Sequence, residues 1–74
     1  MRIINTVEFG RLIRTARKKA GLTQIDLAAA SGIGERFIRE LEKGKSSCQF
    51  GKALLVAQML GIKLSAELPI TVEK

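Results

Sequence analysis

Residues 23–44, TQIDLAAASGIGERFIRELEKG, constrain the chain more than any other stretch, because they read as two short helices joined by a tight turn. Thr23 is suited to cap a helix, with Asp26 three residues on as the acidic half of a capping box and a favourable charge in the first turn. Leu27 then points into a core, and Ala28 sits where a larger side chain would push two crossing helices apart. Ser31-Gly32 ends this helix, since glycine tolerates the positive φ of a tight turn, and Ile33 follows as an apolar plug. A second helix is expected from about Glu35 to Glu42, stopped by Gly44. Ile38 and Leu41 form its inner face, and Arg36, Phe37, Arg39, Glu40 and Lys43 occupy the rest.

A small residue at the crossing, a glycine at the turn and paired apolar residues on the second helix form the pattern of a helix-turn-helix. Such a unit can set its second helix into the major groove of double-stranded DNA. Charge points the same way. The net charge is +6, and residues 1–52 hold 11 Lys/Arg against 5 Asp/Glu while residues 53–74 hold two of each. A basic field confined to the motif side suits a phosphate backbone and predicts binding that weakens steeply with salt. Seventy-four residues make one domain, 1–74, near the size where a single core is marginal. A homodimer is the expected way to bury more surface.

Enzyme classes fall away for lack of parts. With one cysteine, Cys48, and no histidine, the chain has no internal disulfide, no Cys/His zinc site and no Ser-His or Cys-His nucleophile. The acidic residues Glu8, Asp26, Glu35, Glu40, Glu42, Glu67 and Glu73 read as caps, ion pairs and solvated faces. Gly32 and Gly34 flank one turn but lack the preceding strand and following lysine of a phosphate loop. No catalytic residue, metal, cofactor or small-molecule ligand is expected. MRIINT carries no run suited to a signal peptide, and no stretch approaches the ~20 apolar residues of a membrane span. A bacterial cytoplasm, in association with the nucleoid, is the expected location.

The flanking segments support the motif. Thr6 is expected to cap a first helix reaching about Ala20, with Glu8 in its first turn and Gly21 as its stop. Phe9, Leu12, Ile13 and Ala16 form its apolar stripe, and Arg11, Arg14, Arg17, Lys18 and Lys19 its other face. A further helix, about Phe50 to Leu60, is expected to bury Phe50, Leu54, Ala57 and Leu60, with Val56 and Met59 broadening the face and Gly61 ending it. The intervening loop Lys45-Ser46-Ser47-Cys48-Gln49 offers amides and hydroxyls to phosphate. Beyond Gly61, Ile62, Leu64, Ala66 and Leu68 alternate with Lys63, Ser65 and Glu67, the period of a half-buried strand that Pro69 ends or edges. A lone strand needs a partner, either the same segment of a second subunit or Arg2 to Ile4, and a frayed tail is the alternative.

GLTQIDLAAASGIGERFIRELEKGK resembles the Xre/Cro family of helix-turn-helix regulators, over about Thr6 to Ile62. The resemblance implies a mainly α, lambda-repressor-like domain, here of four helices with a C-terminal β-strand pairing across a dimer. The strand-like GIKLSAELP and the RTARKKAGLTQ opening look most like HipB-type antitoxins. In those a C-terminal strand completes the dimer, which represses its own operon at an inverted repeat and binds a HipA-type serine/threonine kinase toxin. A regulator without a toxin partner, and a protein-interaction module that has lost DNA binding, are the competing readings. By the same resemblance Glu35, Arg36, Phe37, Arg39 and Glu40 form the base-reading surface. Gln24 grips a phosphate and braces the recognition helix, and Thr23, Arg14, Lys43, Lys45 and Ser46 complete the phosphate set. Gly34 and Glu35 depart from the commoner family residues: Glu35 either accepts from cytosine N4 or is turned away. Phe37 packs on a thymine methyl or covers the core. Arg17 and Glu42 match a family pair that forms a partly buried salt bridge between the first and recognition helices.

Overall fold

The computed structural model describes residues 5–45 and 49–63, which form four helices: α1 Thr6–Lys19, α2 Gln24–Ser31, α3 Glu35–Glu42 and α4 Phe50–Met59. The order and near-limits follow the sequence expectation. Ser46, Cys48, the segment Arg2 to Ile4 and the strand positions Leu64, Ala66 and Leu68 lie outside the described residues. Ile62 is described: it follows α4 and packs half-buried against the core.

The α1 cap is a correction. Asn5, not Thr6, is the N-cap, and its side-chain oxygen accepts from the Glu8 backbone N–H at 2.8 Å. Thr6 instead donates its hydroxyl to the Gly44 carbonyl at 2.7 Å, tying the start of α1 to the end of α3. The α2 cap is as expected. Thr23 Oγ1 accepts from Asp26 N–H at 3.0 Å, and Thr23 N–H donates back to Asp26 Oδ2 at 3.0 Å, which closes the box. Hydrogen bonds donated by Thr23, from its backbone N–H first and then from its side chain, hold the Asp26 carboxyl below its ordinary value of 3.8. The unfolded chain therefore takes up that proton first, so the contribution is complete above the ordinary value and is lost as pH falls through the depressed one. Glu40 is depressed too, held by Lys45 and Arg36. Melting temperature is accordingly expected to drop with pH below about 4, and Asp26→Asn to shrink that slope without abolishing it. Parallel pH profiles of the two proteins would refute the assignment.

All four helices end alike. The N–H that follows each positive-φ glycine folds back to a carbonyl five residues earlier: Leu22 to Arg17, Ile33 to Ala28, Lys45 to Glu40 and Ile62 to Ala57, at 2.9–3.2 Å. Gly32, at φ 73°, makes this reversal possible between α2 and α3 and delivers Ile33 into the core.

The core comprises Ile13, Leu27, Ile33, Ile38, Leu41, Ala53, Val56 and Ala57, with α1 and α2 both packed on α3 and α4 packed on α2. Two expected faces are rotated. On α1 the buried line is Gly10, Ile13 and Arg17, with Phe9, Leu12 and Ala16 half-buried at its margins. On α4 the buried line is Ala53, Val56 and Ala57, while Phe50 is 74% exposed and Met59 48%. The reason is the same at both: small residues let helices approach closely, so the contact line runs along them and the larger apolar residues fall beside it. None of the described helices is long and apolar enough to cross a membrane.

Candidate nucleic-acid interface

With Ile38 and Leu41 turned into the core, the residue opposite them on an α-helix of about 100° per residue is Arg36. Its side chain is 82% exposed, and Lys43 lies two turns on along the same ridge. Arg39 and Glu40 flank the ridge, and Glu35 begins it. The charges on this face are paired along the helix. Arg39 Nη1 donates to Glu35 Oε2 at 3.0 Å and Arg36 Nε to Glu40 Oε2 at 3.3 Å. Lys45 Nζ reaches the same Glu40 oxygen at 3.3 Å. Phe37 lies at the border, packed against the core with the Lys52 ammonium 5.8 Å from its ring centroid, which places it with the core option.

Behind this face, the end of α3 is fixed by a charge buried between helices. Glu42 accepts from Arg17 Nε at 2.6 Å, from Arg17 Nη2 at 3.1 Å and from Gln24 Nε2 at 3.1 Å. Arg17 Nη1 donates in addition to the Leu22 carbonyl at 2.8 Å, so one guanidinium holds α3 and the α1–α2 turn together. The Arg17 and Glu42 side chains are 9% and 4% exposed. The hydrogen bond with Glu42 first, and its charge in addition, raise the Arg17 pKa against the opposing effect of burial, so the guanidinium keeps its charge between the helices. Gln24 thereby ties the start of α2 to the end of α3 through Glu42.

Around this pair lies an open cleft of about 440 Å³ lined by Arg14, Arg17, Gln24, Arg39, Glu42 and Lys43. Four cations thus face one carboxylate, which Arg17 already neutralises. Arg14 and Lys43 are exposed and are paired with no carboxylate among the described residues. Thr23 caps the helix that Gln24 begins; its oxygen accepts from the Asp26 N–H and its hydroxyl is engaged with the Asp26 carboxyl. The structure therefore brings Arg14, Gln24, Arg39 and Lys43 together, holds Lys45 on Glu40 instead, and leaves Ser46 outside the described residues. The sequence reading missed the pairing of the α3 charges and the convergence on the cleft. The i,i+4 spacing of Glu35 with Arg39 and of Arg36 with Glu40 was the available signal for the first. The second depends on how α1 crosses α3 and had no local signal.

Two helices in this relation, with a solvent-facing charged second helix beside a cationic cleft, define a helix-turn-helix DNA-binding domain. Residues 13–66 match the helix-turn-helix family, and the chain belongs to it as an Xre-like transcriptional regulator. It is 43% identical over 68 residues to the uncharacterized HTH-type transcriptional regulator y4mF of Sinorhizobium fredii, covering 92% of this chain and 90% of that one. The fold is similar to HipB in an O2 20-mer complex, with TM-score 0.84 and 18% identity over 95% of this chain and 97% of that one. It is similar also to a chain of the HipA–HipB–O2–O3 complex, at TM-score 0.83 and 18% identity over 95% and 99%.

Proposed function

We propose that this chain is a dimeric, sequence-specific repressor that reads an inverted repeat with α3 and serves as the antitoxin of a HipA-type kinase toxin, regulating its own operon. The observation that carries the DNA half is the cationic cleft of Arg14, Gln24, Arg39 and Lys43 beside the exposed ridge of α3. A phosphate in that cleft would meet Arg14 and Lys43, which have no carboxylate partner among the described residues, the Gln24 amide and the positive end of α2, while Arg36, Arg39, Glu35 and Glu40 face the base edges, with Phe37 at their margin. Thr23 and Ser46 extend the phosphate contacts, and Lys45, held on Glu40 in the free protein, joins them where a duplex draws Glu40 away. The antitoxin half is supported by the similarity of the fold to HipB, which is found in complex with HipA.

Phosphate contacts carry no sequence information, so Lys43→Ala or Arg14→Ala is expected to weaken all duplexes alike and to flatten the log–log salt dependence by about one unit. Arg36→Ala is expected instead to relax preference at one base position, at a cost of about 1–3 kcal/mol on the preferred duplex. Affinity titrations against a set of single-base variants separate the two behaviours. Loss of discrimination with Lys43→Ala would overturn the assignment. The toxin half is tested by tagging the protein in its native host: a stoichiometric kinase-like partner encoded beside it supports the antitoxin reading. Recovery of DNA with no protein partner returns it to the ordinary regulators, and recovery of a protein with no DNA binding makes it an interaction module.

A further inference from the structure

Within Glu35–Glu42 the exposed face of α3 carries as many negative groups as positive ones, Glu35 and Glu40 against Arg36 and Arg39, with Lys43 just past the helix end. A helix built only for attraction to a polyanion gains nothing from two carboxylates that face the phosphate walls of a groove. Each carboxylate is engaged with a cation of that same face: Glu35 with Arg39 at 3.0 Å, and Glu40 with both Arg36 and Lys45 at 3.3 Å. Lys45 and Arg36 hold the Glu40 carboxyl below the usual range, so it is charged at neutral pH.

We propose that Glu35 and Glu40 are specificity-determining residues that withhold Arg39, Arg36 and Lys45 from phosphate, so that α3 engages only duplexes whose base edges satisfy both halves of each pair. The inference rests on α3 being the helix that enters the groove. On an arbitrary duplex, an arginine that turns to a phosphate leaves its former carboxylate unpaired beside that phosphate, and the exchange returns little. On a duplex that offers guanine O6 and N7 to the arginine and cytosine N4 to the carboxylate, both partners stay bonded. The pairs are exposed and weakly held, which lets them exchange without a large barrier. Non-specific attraction is then left to Arg14 on α1 and to Lys43, just past the end of α3.

The test is selection by the wild-type protein from a random-sequence duplex library, followed by salt titrations of wild type, Glu35→Gln and Glu40→Gln on the selected duplex and on a scrambled one. Each variant is expected to bind the scrambled duplex at least about threefold more tightly, with a log–log salt slope steeper by about one. Its preference for the selected duplex should fall about tenfold. Glu73→Gln, which adds the same charge far along the chain, should leave that preference unchanged, and matched melting curves verify folding. Enrichment by wild type with variants of unchanged preference removes this inference alone. A library in which wild type enriches nothing overturns the groove reading and this inference with it.

Discussion

Glu42→Ala is expected to cost about 3–5 kcal/mol, because it leaves the Arg17 guanidinium buried without a counter-charge. A domain of this size holds only about 5 kcal/mol in reserve, so the variant should melt at least about 15 °C lower or fail to fold. The geometry explains why no mild substitution escapes. Glu42 accepts three hydrogen bonds, two from Arg17 and one from Gln24, so an amide in its place would aim donors at donors. Arg17→Lys fares no better, since a single ammonium cannot span both Glu42 and the Leu22 carbonyl as the planar guanidinium does. Removing both charges is a different matter. Arg17→Met with Glu42→Leu deletes the desolvation cost along with the attraction, and only the Leu22 carbonyl and the Gln24 amide lose a partner. The double variant is therefore expected to be more stable than either single one, with a coupling energy of about 2–3 kcal/mol in a double-mutant cycle. Additive single effects would show that the two side chains do not act as a pair. Even where it folds, the double variant should bind DNA poorly, because the same contact sets the angle between α3 and the cleft.

How much of this was legible beforehand follows from which interactions are local. The capping box of Thr23 and Asp26, the reversals at Gly21, Gly32, Gly44 and Gly61, and the inner face of Ile38 and Leu41 depend on neighbours within about one turn, and they were read correctly. Thr6 is expected to cap α1 but does not: its hydroxyl is bonded to the Gly44 carbonyl, 38 residues away, and Asn5, equally suited by its side chain, caps the helix. The contact line of α1 escaped for a different reason. It consists of a glycine, an isoleucine and an arginine, and apolar periodicity registers only the middle one. The Arg17–Glu42 pair was available only through resemblance to a family, since nothing in the residues themselves says that two charges 25 positions apart are buried together. On α4 most positions are apolar, so the pattern carries little phase information: Ala57 is buried as expected, but Phe50, expected inward, lies outside and Ala53 makes the contact.

Gly10 is the residue whose replacement should then disturb the reading unit most directly. A methyl group built there would collide with the Leu41 carbonyl oxygen and lie 2.8 Å from the Glu42 oxygen. Both are backbone atoms of the last turn of α3, so neither can rotate aside. At an ordinary helix position Gly→Ala stabilises by about 1 kcal/mol, through propensity alone. Here the sign is expected to reverse. Gly10→Ala must lift α1 from α3 along the line that also holds Ile13 and Arg17, costing about 2–3 kcal/mol, and Gly10→Val more. The neighbouring contacts make the displacement costly rather than adaptable: Thr6 is bonded to the Gly44 carbonyl, and the Val7 backbone stands so close to Gly44 that a Cβ there would lie 2.6 Å from Val7 Cα. α1 is thus seated on the end of α3 by close backbone approach at two points, and the cleft between Arg14 and Lys43 has the width this seating gives it. Gly10→Ala should consequently lower both the melting temperature and the affinity for DNA, and the affinity should fall even at temperatures where the variant is fully folded. A Gly10→Ala protein as stable as wild type would mean that the two helices do not approach as closely as the structure places them.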